Sequence, residues 1–521
     1  LERRHHIPIL GFLLFLAGLF SMNCLQAQQT TRIQIKYADS FNYNAKLGKD
    51  IQALIGHVKL QQESTLFFSD SAYLNQHKRN FDAFSHVHII VNDTLNLYGD
   101  RLHYEGRTRI AELFGNVIMK DKKATLYTGH LIYNRNTQIA HYDMGGRILS
   151  DSNVLRSNLG YYDTKTRIFY FQKHVILNSR EDILQSDTLI YNTNNAIAYI
   201  KGPTVIRGKE TTIYCSDGWF DTRSHDSKLF ARPVIKSKSQ TLTADSVIYN
   251  HHSTHGKAYG NIQLVDTSRQ IVIEGQVSEM WNKTGISYVT KRAMAISYDQ
   301  QDSLFMHADT MWMYLDKKRN AKKMLAYHQV RFFRKDLQGT CDSLAYTMKD
   351  STMRMFHGPV IWSGDNQLTS DTISLVIKNG QMDTMTMTNN AFIISKDSTQ
   401  MFNQIKGRTM IGYFMRNRIH RMKVDGNAQS IYWLRNDNKQ LIGLNKAEAS
   451  NMMIKISNNK IVGIDYLDKP SETLYPPKEA TGKTSFLDGF SWLNYLRPVS
   501  KENIFTKVKR KSQNQNTENF K

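Results

Sequence analysis

Aspartate is the residue this chain places most regularly, and carboxylates at fixed spacing are the first groups to weigh for chemistry. Asp70, Asp100, Asp187, Asp217, Asp245, Asp309, Asp342 and Asp371 recur along the sequence. A general acid and its partner base need two different environments, so a catalytic pair stands out from its surroundings. The clearest copies here share one frame, with a small residue before and Ser or Thr after: Ser186-Asp187-Thr188, Ala244-Asp245-Ser246, Cys341-Asp342-Ser343 and Ser370-Asp371-Thr372. That frame places the carboxylate at a bend, accepting backbone hydrogen bonds. The 18 histidines show no metal-ligand spacing. His251-His252 with His255 is the tightest group, in a polar turn, and His86 and His88 share one face of a strand. No Ser-centred elbow, glycine-rich phosphate loop or paired-Cys motif is present. The residues point to no enzyme, no cofactor and no metal.

The aspartates belong to a longer repeat. Thr243-Ala244-Asp245-Ser246-Val247-Ile248-Tyr249-Asn250 is followed by Ala258-Tyr259-Gly260-Asn261-Ile262-Gln263-Leu264-Val265, the first half recurs at Asp187, Asp342 and Asp371, and looser copies begin at Asp70, Asp100, Gly129, Asn158, Asp217 and Asp309. Successive copies are 28–30 residues apart as far as Asp245. Self-similarity at such a period marks a repeat architecture whose units bury their apolar faces on their neighbours. Each unit holds two runs separated by Asn/Asp/Gly/Ser turns, which predicts an antiparallel meander. Proline is scarce, at 8 residues, as suits strands. The expected fold is all-β: an elongated, twisted antiparallel β-jellyroll, or β-taco, of tandem units of about 30 residues.

A Gly or Asp near the middle of each run marks a bend. Bends at matching places fold the ribbon into two facing walls. Apolar residues then fall two and four positions beyond each bend, on one face. They are Leu102 and Tyr104, Val117 and Met119, Leu131 and Tyr133, Leu189 and Tyr191, Val247 and Tyr249, Ile262 and Leu264, and Leu344 and Tyr346; Val360 and Trp362 follow the same count. These positions predict an apolar interior between the walls along the array. Cys215 and Cys341 occupy the small-residue position before the Asp and are expected to be buried, without a disulfide.

Arg3-Arg4, the apolar run from Ile7 to Phe20 and Leu25-Gln26-Ala27 form an export signal. Cys24 sits in a poor context for lipid attachment. The net charge of +22 suits an anionic partner. The sequence divides into a signal over 1–27, a first array part over 28–265, a second over 266–465, and an aromatic segment with a basic tail over 466–521. Phe486, Phe490, Trp492 and Tyr495 are expected to cap the open end of the array, with docking on a partner as the alternative. The tail from about 500 is expected to be disordered.

The tandem Ala/Ser-Asp-Ser/Thr-x-x-Tyr and Gly-Asn-Val/Ile-x-Leu units resemble the OstA-like family of periplasmic proteins, which includes LptA and the LptD N-terminal domain. Ala244 to Tyr249 with Ala258 to Ile262 carries the resemblance most closely, and Ala111-Glu112-Leu113-Phe114-Gly115-Asn116-Val117 comes next. It covers roughly 40–390 well and 390–465 loosely. It implies a V-shaped β-jellyroll, a periplasmic location and a non-enzymatic role carrying the lipid A acyl chains of lipopolysaccharide. It further implies end-to-end strand contacts with inner- and outer-membrane transport components, and no nucleic acid. The array is longer than compact members of the family, and no C-terminal barrel follows as in LptD. The alternatives are an exported glycan-binding β-solenoid and a β-helical polysaccharide lyase or hydrolase.

Overall fold

Long strands in this chain break at their midpoints, for a reason visible at single residues. A computed structural model describes residues 32–43, 50–298, 302–378, 381–398, 400–416, 418–457 and 460–509. The signal, Cys24 and the end of the basic tail lie outside them. In Ile110–Lys120 the break falls on Gly115 (φ +71°) and Asn116 (φ +42°), and in His255–Asp266 on Gly260 (φ +71°) and Asn261 (φ +43°). Glycine adopts this left-handed conformation freely, and Asn and His do so more readily than most residues. The ladder register shifts at the same points, so each is a β-bulge that turns its strand. The two halves of a strand thereby enter two facing antiparallel walls.

The repeat motif builds this bend. The small residue before the Asp points inward: Ala244 is fully buried, and Cys341 and Ser186 nearly so. Where it is Ser, its hydroxyl donates to the carbonyl two residues on, at 3.0 Å from Ser69 and 2.8 Å from Ser186 and Ser370. The Asp itself points outward onto the ridge. At Asp70, Asp100 and Asp245 its partner is the bulge side chain of the next strand rather than the backbone groups expected above, whereas Asp217 does accept a backbone N–H, from Gly218 at 2.9 Å. Asn116 Nδ2 donates to Asp100 at 2.8 Å and Asn261 Nδ2 to Asp245 at 2.9 Å, while Asp70 meets His86 Nδ1 at 2.7 Å. The bulge glycine is required because a Cβ on Gly260 would lie 2.2 Å from the Asp245 carboxylate, and one on Gly115 2.5 Å from that of Asp100.

The chain forms two compact units, one of Leu1–Arg180 with Ile190–Asn194 and the other of Glu181–Leu189 with Asn195–Lys521. In unit one, Leu102, Tyr104, Leu131 and Tyr133 lie inward on the first wall, and Val117 and Met119 inward on the second; all are at most 2% exposed. The interior is filled by rings. Phe67, Phe81 and Tyr104 meet at centroid distances of 4.6–5.3 Å, and Tyr162 stacks on Phe169 at 3.9 Å. Outward on the second wall, Lys59, Phe68, His88, Tyr98, Ile118, Tyr127, Arg147, Arg156 and Ile176 form one row in cross-strand register. His88 stacks on Tyr98 at 4.4 Å within it.

In unit two one apolar cluster runs between the walls and is rich in methionine, including Met306, Met311, Met385, Met387, Met410 and Met422. Leu344 belongs to it, with Tyr346 packed against it. Val360 and Trp362 do not. They face outward against Leu496, and Ile361 faces inward. The left-handed pair here is His357 and Gly358, one residue earlier than a Gly-first count assumes, and a one-residue slip flips every side chain.

The aromatic segment does not cap an end of the array. It lies across the outer face of the second wall of unit two. Leu487 and Phe490 pack with Phe402, Ile431, Trp433 and Leu444. Gln404, fully buried, donates to Ser485 O at 2.8 Å and accepts from Leu487 N at 2.9 Å. Gln367 holds Ser491 O at 2.8 Å and Leu493 N at 2.7 Å in the same way. The docked segment continues past residue 500. Asn503–Phe505 is a 3-10 turn with Ile504 fully buried, and Phe505 packs on His307. That ordered stretch shortens the tail expected to be disordered. The described helices are short 3-10 turns, and none is long and apolar enough to cross a membrane.

Candidate functional site

Two facing walls meet at the ridge and part at the opposite edge, where the strand turns form a mouth. In unit one, side chains reach across this mouth. Glu63, in a turn of the second wall, pairs with Arg109 and with Arg135 at 3.4 Å, both from turns of the first. Tyr162 donates to Asp121, and Asn153 Nδ2 donates to Tyr191 Oη at 2.9 Å. Each pair joins residues far apart in sequence but opposite across the gap, and together they close it.

Unit two begins with a clasp of the same kind. His225 Nδ1 lies 2.8 Å from Asp182 Oδ2, with both side chains largely shielded. Beyond it the mouth opens. Lys209 of the second wall and His251 of the first both line the opening, and this combination offers no carboxylate for a clasp. Behind them is a cavity of about 520 Å³.

The cavity exists because the facing side chains are too small to fill the space. Ile206, Ile235, Leu242, Ile262, Leu264 and Ile273 line it from the second wall, and Leu229, Val247, Ala258 and Val289 from the first. In unit one the second wall is also mostly aliphatic, and it is the first wall that supplies the filling rings, Phe81, Tyr104, Tyr133, Tyr142, Tyr162 and Phe169. Of the residues singled out above, Val247, Tyr249, Ile262 and Leu264 line the cavity. Leu189 is also in unit two and 1% exposed, and Tyr191 is fully buried in unit one.

Other lining residues were not singled out. Phe220 escaped because Ser216, and not Asp217, stands at the bend: Cys215 pairs with Thr204 and Asp217 with Lys201, so Gly218 and Phe220 rather than Trp219 face inward. Ile206 and Ile273 lie on runs without a clear Asp motif and Leu242 precedes the Asp245 bend, and continuing the inward alternation along those runs would have found them.

The wall offers mainly apolar contact, with the polar side chains of Ser227, Gln240, Ser278 and Ser287 among the lining. Its charged residues, Glu181, Asp182, Lys209, His225 and Lys257, include the clasp pair. On the strand Ile271–Trp281, burial pushes the Glu279 carboxyl upward, but hydrogen bonds from His255, Tyr288 and Lys257 outweigh it and hold the group below its ordinary range. His255 of the histidine-rich turn is thus engaged by Glu279 at 2.9 Å. Among the described residues no group of three His, Cys, Asp or Glu could hold a metal ion. Cys215 and Cys341 are buried, and burial pushes the Cys215 thiol up to about 11. The arrangement can shelter an apolar chain and meet an anion at its edge.

The family model described as OstA-like protein matches residues 30–187, and that described as LptA/(LptD N-terminal domain) LPS transport protein matches residues 299–381. No curated protein matches the chain. Among solved structures it is similar to LptH of Pseudomonas aeruginosa, described as the LptA homologous periplasmic component of the conserved lipopolysaccharide transport device. That likeness is at 14% identity, covers 27% of this chain and 95% of that one, and has a TM-score of 0.22. Over these two stretches, the chain is similar to OstA-like and LptA-type proteins.

Proposed function

We propose that this protein is a periplasmic lipopolysaccharide-binding transport protein, exported by its N-terminal signal, and that the cavity of unit two receives lipid A acyl chains. The observation that carries this reading is the aliphatic cavity of about 520 Å³ with an open mouth edged by Lys209 and His251. An acyl chain has no polar groups, so its affinity comes from buried area at roughly 25 cal/mol per Å². Such contact is non-directional, and a chain can slide along it without breaking specific bonds. Lys209 and His251 suit the phosphates that lipid A carries. Downstream, the methionine-rich interior of unit two can repack around a moving chain, because Met is unbranched and polarisable. The family description of an LPS transport protein over residues 299–381 supports the same reading. The outward Asp ladder, engaged by Asn and His at the ridge, has a structural part and no catalytic one.

The lipid would pass between the inner and outer membranes for outer-membrane assembly, through end-to-end strand contacts with transport components. Two edges are suited to this. Ser40–Tyr43 of unit one exposes Phe41 and Tyr43, and Ser471–Tyr475 of unit two exposes Leu474.

A photoreactive residue at Leu264 should capture lipopolysaccharide in cells, and one at Leu102 should not. Val247→Asp should abolish that capture, since an unpaired charge inside an apolar site is costly. Ser246→Asp, on the other face, should be tolerated. Each variant must keep its β circular-dichroism signal. Normal capture by folded Val247→Asp protein would exclude the interior as the lipid site.

A further inference from the structure

The outer face of the second wall of unit one carries no acidic residue in either of its two rows. One is the register row from Lys59 to Ile176. The other runs beside it from Gln61 through Leu66, Ile90, Asn96, Lys120, Thr125, Leu149 and Val154 to Asn178. Lys120, Arg147 and Arg156 are exposed, as are Tyr98 and Tyr127, while the aliphatic side chains between them are half-buried. The first wall differs. On its outer face Asp82 and Glu112 stand in one row with His103 and His141. An acid-free, apolar and basic strip on one wall alone is a charge asymmetry that the fold does not require.

Unit two shows what the same face of that wall can hold. There an extended segment of the chain itself crosses the strands, its rings packed on the wall and its backbone held by Gln367 and Gln404. We propose that the strip on unit one is a docking track for an extended polypeptide segment of a partner protein, apolar in part and rich in carboxylates. The strip is only two side chains wide, follows a sheet that twists and holds its aliphatic groups half-sunk, so it is poorly shaped for a flat bilayer. It spans nine strands, roughly 38 Å at 4.8 Å per strand, which matches an extended segment of about a dozen residues. Partner carboxylates would meet Lys120, Arg147 and Arg156.

The test uses the full chain. A fluorescent peptide of about a dozen alternating Glu and Leu residues should bind it, and a Lys-Leu peptide should not. Binding should weaken with salt and fall by roughly tenfold or more in Arg147→Glu/Arg156→Glu, the loss expected when attraction becomes repulsion. A photoreactive residue at Tyr127 should capture in cells a protein whose crosslinked segment is net acidic, and that capture should vanish in the same double variant. The same residue at Tyr161, outward on the first wall, should capture none. Equal binding of the two peptides, no adduct at Tyr127, an adduct with a second copy of this chain, or capture of phosphatidylglycerol vesicles through this face would each overturn the proposal. The double variant is surface-exposed, and an unchanged circular-dichroism melt establishes that it folds. The lipid cavity takes no part in these readouts, so failure here leaves the transport reading standing.

Discussion

At the scale of single residues, the ridge turns on an Asp and a left-handed Gly-Asn or His pair. Asp245 is half-exposed, so its bond to Asn261 is worth less than a buried one. Asp245→Ala should cost about 1 kcal/mol in urea denaturation. Gly260→Ala should cost more, about 1–3 kcal/mol, because it meets both an unfavourable φ and the Asp245 carboxylate. In the double variant the carboxylate is gone, so the two losses should sum to less than additive; strict additivity would mean that the pair does not interact. Histidine rungs add a pH term. The hydrogen bond to Asp70, and then its charge, raise the pKa of His86. A His raised in the folded state stabilises below its unfolded value near 6.5, and that contribution is lost as pH rises through the folded value. Asp39, lowered by its bond to His57, has the opposite sign and loses its contribution as pH falls through its folded value. The charged rungs therefore contribute most at mildly acidic pH. His86→Asn, which restores the rung found at Asn116, should flatten the fall in stability between about pH 6 and 8. An unchanged slope in pH-dependent urea melts would count against it.

At the scale of elements, the docked segment near the C-terminus is held by side chains that grip a backbone. Gln404 is fully buried and makes both of its strap bonds in a desolvated place. Its removal leaves a carbonyl and an N–H unsatisfied. Gln404→Ala should therefore cost roughly 2–4 kcal/mol. Amide exchange at Leu487 should accelerate while Met410, in the interior of the wall, stays protected. Equal acceleration at both would mean that strap and wall open as one unit. The aromatic cluster was legible as something that must be covered. Its address was not, because Gln367 and Gln404 look like ordinary strand polar residues until the segment more than eighty positions away is laid on them.

At the scale of the whole molecule, one repeat serves two uses. Unit one has a ring-filled interior with a clasped mouth, and unit two has an open cavity with an unclasped stretch. Leu102→Ala should cost about 2–5 kcal/mol, because it opens a void in a packed core, and should leave acyl binding unchanged. Leu264→Ala, at a half-exposed position lining a void, should cost about 1 kcal/mol and weaken binding of a fluorescent acyl probe several-fold. Similar effects of both on binding would mean that the whole interior takes lipid.

The sequence alone determined what is local. The bends, the inward alternation, the all-β class and the period follow from residue types within one unit, because side-chain direction in a strand alternates whatever lies opposite. The tertiary structure decided what depends on the far wall. Whether an inward face is filled or open is set by the summed volume of facing side chains from distant strands. Whether the mouth is clasped depends on an Asp and a His, or a Glu and an Arg, meeting across a gap. At Val360 and Trp362 a bulge moved by one residue reversed the faces, because strand periodicity carries no memory of which side is in once its register slips.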